Sequence, residues 1–197
     1  MPYSPLVATD ARDSLAYPIS FQKAHEQGIP HRAVHIEIAN LDGKYLVWKR
    51  SDGRWEIPGG HVDWLEEQDL SESYIEAAIR EIMEELNLQI NWNLPASLTV
   101  DRLKKQLKYI TKVINQVPSS HGYNNEWVAI FGLDWDENWG DPRNFILSEE
   151  GNKSPIWLSL EEIMRFSQEK PLGINAALRL FLGRRGILIP LVSEGSV

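Results

Sequence analysis

Glu81, Glu84 and Glu85 stand at i, i+3 and i+4, so on a helix three carboxylates share one face within side-chain reach. Like charges at that spacing destabilise an isolated helix by a few tenths of a kcal/mol per pair, as an order of magnitude. A hard divalent cation converts the repulsion into coordination, because Mg²⁺ takes oxygen ligands and keeps positions for substrate phosphates. A solvated acidic face is the ordinary use of such a run, and the other side of the segment argues for placement instead. Ile75, Ala78, Ile79, Ile82, Met83 and Leu86 recur at i, +3, +4, +7, +8 and +11, an apolar stripe roughly opposite the acids. Ala77 lies beside the acids and leaves space there. One face is thus expected against a core while the other holds the carboxylates at fixed separation.

Local signals say how that helix is positioned. Ser73 with Glu76 makes an S-x-x-E capping box, so the helix is expected to start at Ser73. Glu72 then lies just outside the first turn, where its carboxylate can fold back towards Arg80. Upstream, Pro58-Gly59-Gly60-His61-Val62 reads as a turn fed by a short strand at Trp55 to Ile57. Ala33 to Ala39 and Tyr45 to Lys49 flank Asp42-Gly43, a strong hairpin signal. A short helix is expected from Ser20 to Gln27, ended by Gly28, while residues 1 to 18 read as irregular. Downstream, Leu98 to Gln106 is ambiguous with a helical option, Lys108 to Val117 alternates like a strand, and Glu126 to Leu133 and Pro155 to Leu158 read as strands. Ser159-Leu160-Glu161-Glu162 opens a capped helix, and Ile174 to Leu182 forms a last one.

The stretch around Arg80 resembles the Nudix box, Gly-x5-Glu-x7-Arg-Glu-U-x-Glu-Glu-x-Gly-U, where U is a bulky aliphatic residue. Glu72, Arg80, Glu81, Ile82, Glu84, Glu85 and Leu88 match it, as does Gly60 once a longer loop is allowed. Eleven residues separate Gly60 from Glu72 where the pattern has five, and Asn87 stands where the pattern has Gly. Asn is the next best residue for a left-handed helix end, so that turn is expected to survive. The extra segment, roughly Trp64 to Ser71, is expected to shape substrate entry. The resemblance covers roughly residues 20 to 183 and implies the α+β Nudix fold, a mixed β-sheet sandwiched between α-helices. The domain is placed at residues 20–185, after an irregular extension at 1–19 and before a tail at 186–197.

The same resemblance implies a hydrolase that cleaves the diphosphate linkage of a nucleoside diphosphate-linked or related substrate with Mg²⁺ or Mn²⁺. Glu81, Glu84 and Glu85 are then expected to hold the metal, with a backbone carbonyl at Gly59 or Gly60 as a further ligand. Arg80 is expected to pair with Glu72 and orient the loop. The general base is left between Glu85 and Glu126, with Glu149 and Glu150 as the weakest candidates. Arg50 and Arg54 are placed to meet phosphate oxygens, Arg32 and His61 to face substrate, and Trp127 (with Trp48 and Trp55) to stack on a base. Most of the eight tryptophans are expected in the core. A non-catalytic sensor of a phosphorylated metabolite on the same fold stays open, although a sensor does not need all three glutamates.

His25 and the run Gly28-Ile29-Pro30-His31-Arg32-Ala33-Val34-His35 look like the entry to the isopentenyl-diphosphate-isomerase-like branch. That branch implies a metal held by histidines near the N-terminus, a histidine beside the first catalytic turn and glutamates on a later strand. His25, His31, His61 and Glu126 occupy similar places. The isomerase needs a cysteine where this chain has Gly59, and the chain has no cysteine. Moving protons across an allylic system requires a positioned acid and base. The histidines are therefore expected to be structural or substrate-facing rather than a second metal site.

Composition narrows the class further. At 197 residues with 43% hydrophobic, the chain suits one domain with a packed core. Zero cysteines exclude disulfides and thiolate metal sites. A net charge of −8 argues against non-specific nucleic-acid binding, while a bound cation would still admit a phosphorylated substrate. No stretch reaches the length of a membrane span and no signal peptide is evident, so a cytoplasmic setting is expected. The partner expected is a small-molecule diphosphate, with a homodimer the common assembly for the resembled fold.

Overall fold

The structure, a computed structural model, describes residues 4–50, 53–119, 122–145, 155–170 and 173–187. It opens with two strands where the sequence read as irregular. β1 (Leu6–Ala8) and β2 (Tyr17–Ile19) pair antiparallel, and Val7 N–H donates to the Val62 carbonyl. The prolines misled: Pro18 sits opposite Val7, the middle rung of a pairing only three residues long. α1 (Phe21–Glu26) follows, capped by the Ser20 hydroxyl. Then come β3 (His31–Ala39), β4 (Tyr45–Lys49), β5 (Trp55–Glu56) and β6 (Gly59–His61). The lengthened loop is itself folded, as the hairpin of β7 (Trp64–Leu65) and β8 (Leu70–Ser71). After it run α2 (Tyr74–Glu85), α3 (Leu88–Asn91), α4 (Ala96–Gln106), β9 (Leu107–Ser119) and β10 (Gly122–Asp134). β11 (Ile156–Leu158), α5 (Leu160–Glu169) and α6 (Ala176–Gly183) complete the described chain.

Nine of these strands form one mixed sheet, with β3 at its centre. β3 runs parallel to β10 from His31↔Glu126 to Ala39↔Asp134, and antiparallel to β1, β4 and β6 on its other edge. A strand buried on both faces must satisfy two environments through its period-two alternation. Val34, Ile36 and Ile38 point into the core beneath α2. Ala33 points the other way, into a small cluster with Val128, Ile130 and Leu180 of α6. His31, His35 and Glu37 share that second face by register, and all three are buried. The α+β architecture, a mixed sheet between α2 on one side and α5 and α6 on the other, is the one the sequence implied. No helix among the described residues is long and apolar enough to cross a membrane.

α2 starts where its capping box places it: Ser73 Oγ accepts from Glu76 N–H, and the Glu76 carboxylate accepts from Ser73 N–H at 3.0 Å. Its buried face is Ala77, Ala78, Ile79, Ile82 and Leu86. Burying Ile82 and Leu86 contributes about 1.5–3 kcal/mol each relative to exposure. The stripe is rotated from the one expected. Ile75 is 37% exposed, because it lies in the first turn before the helix reaches the sheet, and Ala77 is wholly buried in the core rather than lining the acid side. Ile79 and Met83 lean towards α4. Asn87 takes the left-handed conformation (φ 47°) that the missing glycine would have supplied.

Candidate metal and active site

The site is built on β6 and the facing side of α2. Gly59 meets backbone that cannot move, and Gly60 meets the Glu81 carboxylate, so a side chain at either would disturb the site. A Cβ on Gly59 would lie 2.3 Å from the Val34 carbonyl oxygen, and one on Gly60 would lie 2.1 Å from Glu81 Oε1. The glycines thus let β6 press against β3 on one side and admit the Glu81 carboxylate on the other.

Arg80 ties these parts together. Its Nε donates to Glu72 Oε1 at 3.2 Å, its Nη2 to Glu72 Oε2 at 3.1 Å and to the His61 carbonyl at 2.8 Å, and its Nη1 to Glu81 Oε1 at 2.8 Å. Glu72, itself buried, also accepts from Asp63 N–H at 3.2 Å. Burial works against the guanidinium's charge, yet Glu72 and Glu81 outweigh it and raise Arg80 further above its ordinary value. The pairing of Arg80 with Glu72 is as the sequence suggested, and Glu81 is drawn into the same network. Glu81's carboxyl is raised, by burial first, against the opposing pull of Arg80.

The three α2 carboxylates do not converge on one point. Glu81 goes to Arg80, Glu85 Oε2 accepts from Gly59 N–H at 3.2 Å, and the Glu84 side chain is 61% exposed with Oε2 at 3.4 Å from Arg80 Nη1. Acids at i, i+3 and i+4 repel, and they spread over nearby donors: Glu81 and Glu84 share Arg80 Nη1, while Glu85 takes Gly59 N–H.

Among the described residues, the close convergence of ligating atoms lies one strand away. His25, His31, His61 and Glu126 each bring one ligand atom within 4.8 Å of the others. The sequence expectation is a structural or substrate-facing role for these histidines rather than a second metal site, and the structure brings them together with Glu126. α1 supplies His25, β3 His31, β6 His61 and β10 Glu126, and the parallel ladder sets Glu126 directly opposite His31. Backbone carbonyls fix two rings: His25 Nδ1 lies 2.8 Å from the Phe21 oxygen and His31 Nδ1 2.8 Å from the Ile29 oxygen. A ring that donates through Nδ1 presents a lone pair at Nε2, the arrangement of a ligating histidine. His31 Nε2 and His61 Nε2 are buried with no hydrogen-bond partner, at 3.8 and 3.6 Å from Glu126 Oε1. Orphaned nitrogens facing a buried carboxylate are what three imidazoles and a glutamate need to hold a borderline divalent ion, so the residues fit one.

The electrostatics agree with this geometry. Burial, then His61, depresses His31 to about 4, and burial depresses His35 to about 4. Burial alone would raise the Glu126 carboxyl, but His61, followed by His35 and His31, brings it down to about 2. Asn115 Nδ2 donates to Glu126 Oε2 at 2.8 Å and Asn124 Nδ2 to Oε1 at 3.2 Å, so two amides hold the carboxylate in place. Sequence reasoning missed both. Their only signal is an amide on each strand of a pairing whose register must be known first.

The other sequence candidates are dispersed. Arg32 donates through Nε to Asp13 Oδ1 at 2.6 Å rather than facing the histidines, and the same carboxylate accepts from Tyr74 Oη at 2.9 Å and from Lys112. Trp127, half-buried, lies beneath Lys112 Nζ at 5.2 Å. Arg50 pairs with the buried Glu56 at 2.8 Å, which also accepts from Trp48 Nε1 at 2.8 Å. Trp48 is thereby a core residue and not a stacking platform, and Trp55 packs edge-on against Phe166. Arg54 lies one residue before β5, half-buried. Glu149 and Glu150 lie outside the described residues.

A family model described as the NUDIX domain matches residues 29–177. No curated protein matches the chain significantly. Among solved structures, the chain is similar to DR0079 from Deinococcus radiodurans, at 16% identity over 92% of this chain and 98% of that one, with a TM-score of 0.59. It is also similar to a MutT protein from Methanosarcina mazei Go1, at 21% identity over 79% of this chain and 91% of that one, with a TM-score of 0.51. At such identities these two likenesses speak for the fold alone.

Proposed function

The chain belongs to the Nudix family, and from that premise we propose a pyrophosphohydrolase that cleaves the diphosphate linkage of a nucleoside diphosphate-linked or related small molecule. The observation that carries this reading is Arg80, which binds Glu72, the His61 carbonyl and Glu81 into one rigid unit. A site that must position phosphates needs such rigidity, since phosphoryl transfer is catalysed mainly by placement and charge neutralisation. We assign Mg²⁺ or Mn²⁺ to Glu81, Glu84, Glu85 and the Gly60 carbonyl, where the ion when bound neutralises charge on the transferring phosphoryl group. Arg80 holds Glu81 against Gly60, and Gly59 N–H holds Glu85, so two of the three carboxylates are oriented by the chain itself.

Glu126, enclosed by imidazoles and amides, is better assigned to the histidine cluster than to proton transfer, which leaves Glu85 as the proton acceptor. We assign to His25, His31, His61 and Glu126 a second, borderline divalent ion. That assignment favours a place in the isopentenyl-diphosphate-isomerase-like branch of the family. The absence of any cysteine keeps the proposed reaction hydrolytic rather than isomerising.

The test is a panel of diphosphates incubated with Mg²⁺ or Mn²⁺ in ¹⁸O water, with products read by mass spectrometry. One ¹⁸O should enter one product phosphate, and Glu84→Gln and Glu85→Gln should each cut turnover at least a hundredfold while folding normally. Tight binding of a panel member with no product from any of them would overturn hydrolysis in favour of a sensor.

A further inference from the structure

Asp13 stands in the connection between β1 and β2, and its side chain is only 2% exposed. Four side chains meet its carboxylate. Arg32 Nε donates to Oδ1 at 2.6 Å and Thr9 Oγ1 at 3.3 Å, while Tyr74 Oη donates to Oδ2 at 2.9 Å beside Lys112. Burial works to raise this carboxyl, but Lys112 and Arg32 outweigh it and hold Asp13 below its ordinary value. The turn is wound so as to aim the side chain inwards. Asp10 Oδ1 accepts from Arg12 N–H at 3.0 Å and from Ser14 N–H at 2.7 Å, and Asp13 takes the left-handed conformation (φ 57°). Glycine holds that conformation without strain, yet the chain presents a carboxylate there.

What Asp13 holds leads to the site. Arg32 Nη1 donates to Ser71 Oγ at 3.3 Å, and the Ser71 hydroxyl donates to the Glu72 carbonyl at 2.7 Å. Glu72 in turn receives Arg80, which holds Glu81 at 2.8 Å. Hydrogen bonds therefore run from Asp13 across the end of the β7–β8 hairpin to the carboxylates of α2. The same N-terminal segment fastens the lengthened loop elsewhere: Val7 N–H donates to the Val62 carbonyl at 3.1 Å and Trp64 N–H to the Pro5 carbonyl at 2.8 Å. Eleven residues between Gly60 and Glu72 have more freedom to lose on closure than a shorter loop has, so this loop needs a fastener. Resting on the hydrolase reading, we propose that Asp13 is a positioning residue: through Arg32 and Ser71 it fixes the end of the lengthened loop, so that Glu72 meets Arg80 in one geometry. Loosening Glu72 frees the guanidinium, and with it the Glu81 carboxylate that the guanidinium orients. None of Asp13, Ser71 and Arg32 is placed against substrate, so the effect falls on kcat rather than KM.

Arg80 reports on this without any turnover. In metal-free, full-length protein labelled with ¹⁵N, the Arg80 Nε–H bonded to Glu72 should give a guanidinium signal protected from exchange with water, assigned by its loss in Arg80→Lys. Ser71→Ala and Asp13→Gly, the latter keeping the left-handed turn, should each speed that exchange at least tenfold. Ser71→Thr, which retains the hydroxyl, should stay within twofold of wild type. Tyr74→Phe removes a bond to the same buried carboxylate but leaves the run to Arg80 whole, so it too should stay within twofold. On the best diphosphate of the panel, Ser71→Ala should lower kcat at least tenfold with KM within threefold. A wild-type signal without protection, Ser71→Ala exchange within twofold of wild type, an equal rise in Tyr74→Phe, or an unchanged kcat in Ser71→Ala would overturn the proposal. Should Asp13→Gly fail to fold, the Ser71 variants decide. Failure of the hydrolase reading is distinct: wild-type protein would cleave no diphosphate with either metal while the exchange pattern held.

Discussion

Replacing Gly60 with alanine tests whether the chain places Glu81 where a cation needs it. The new Cβ would stand 2.1 Å from Oε1, 2.3 Å from Cδ and 2.6 Å from Oε2 of Glu81. Ordinary contacts begin at 3.4 Å, so Oε1 must retreat by about 1.3 Å. The collision falls on the flexible end of a side chain, and Gly60 does not have the positive φ that penalises a Cβ, so little folding energy is at stake. A melting temperature within about 3 °C of wild type is expected, the equivalent of roughly 1 kcal/mol for a chain of this size. The functional cost is larger, because a misplacement of about 1 Å in a positioning group can cost about a hundredfold in rate. Turnover on the best diphosphate should therefore fall about a hundredfold, or about 2.7 kcal/mol of barrier. Mg²⁺ or Mn²⁺ binding, read by calorimetry with a non-hydrolysable substrate analogue, should weaken at least tenfold. The Gly60 carbonyl survives the substitution, so only the displaced carboxylate can account for the loss. Metal affinity and turnover both within threefold of wild type would refute the reasoning, since Glu81 would then not need its place beside Gly60.

Three further outcomes follow from the same geometry. Arg80→Met leaves buried Glu72 unpaired and should destabilise the fold by about 3 kcal/mol, a fall in melting temperature of about 6–12 °C; a change under 2 °C by scanning calorimetry would contradict the central role given to Arg80. His31 and His35 are held near 4 in the folded chain against 6.5 when unfolded, so the unfolded state gains protons first. Metal-free protein should accordingly keep its full stability above about pH 6.5 and lose several kcal/mol, as an order of magnitude, as pH falls to about 4. A flat urea midpoint between pH 7 and 4 would count against the histidine contribution; Glu126 adds a further loss as pH drops from 4.5 towards 2, and a flat midpoint there would count against it. Protein grown with manganese or zinc and then desalted should retain one ion per chain, lost in His61→Ala; a wild-type protein that retains none by plasma mass spectrometry would remove the histidine assignment.

What the sequence made legible was local. The capping box at Ser73 and Glu76, the Asp42-Gly43 hairpin and the left-handed Asn87 are each dictated within a few residues, and each stands where expected. The pairing of Arg80 with Glu72 was readable because helix spacing and the cap together bring them close. The histidine set was legible only through the family resemblance, which put His25, His31, His61 and Glu126 in similar places. They come from four elements, and no local spacing encodes the register of β3 against β10 and β6 that aligns three of them. Arg32 failed for a related reason, since its partner Asp13 sits in a segment whose prolines hid two strands. The rotation of α2 that buries Ala77 and exposes Ile75 depends on how the helix meets the sheet, which no periodicity within α2 can encode.

The parallel ladder between β3 and β10 also bears on how this molecule comes into being. Its rungs join residues 95 apart in the chain, as His31 and Glu126 do. Closing so large a loop expends entropy before any contact repays it, which places such topologies among slow folders, from roughly milliseconds to seconds. The histidine–glutamate set spans that closure, so it cannot exist in a nascent or half-collapsed chain. Uptake of an ion there would mark the last step of maturation, and a chain stalled before it would expose an unfinished sheet edge to its neighbours in the crowded cell.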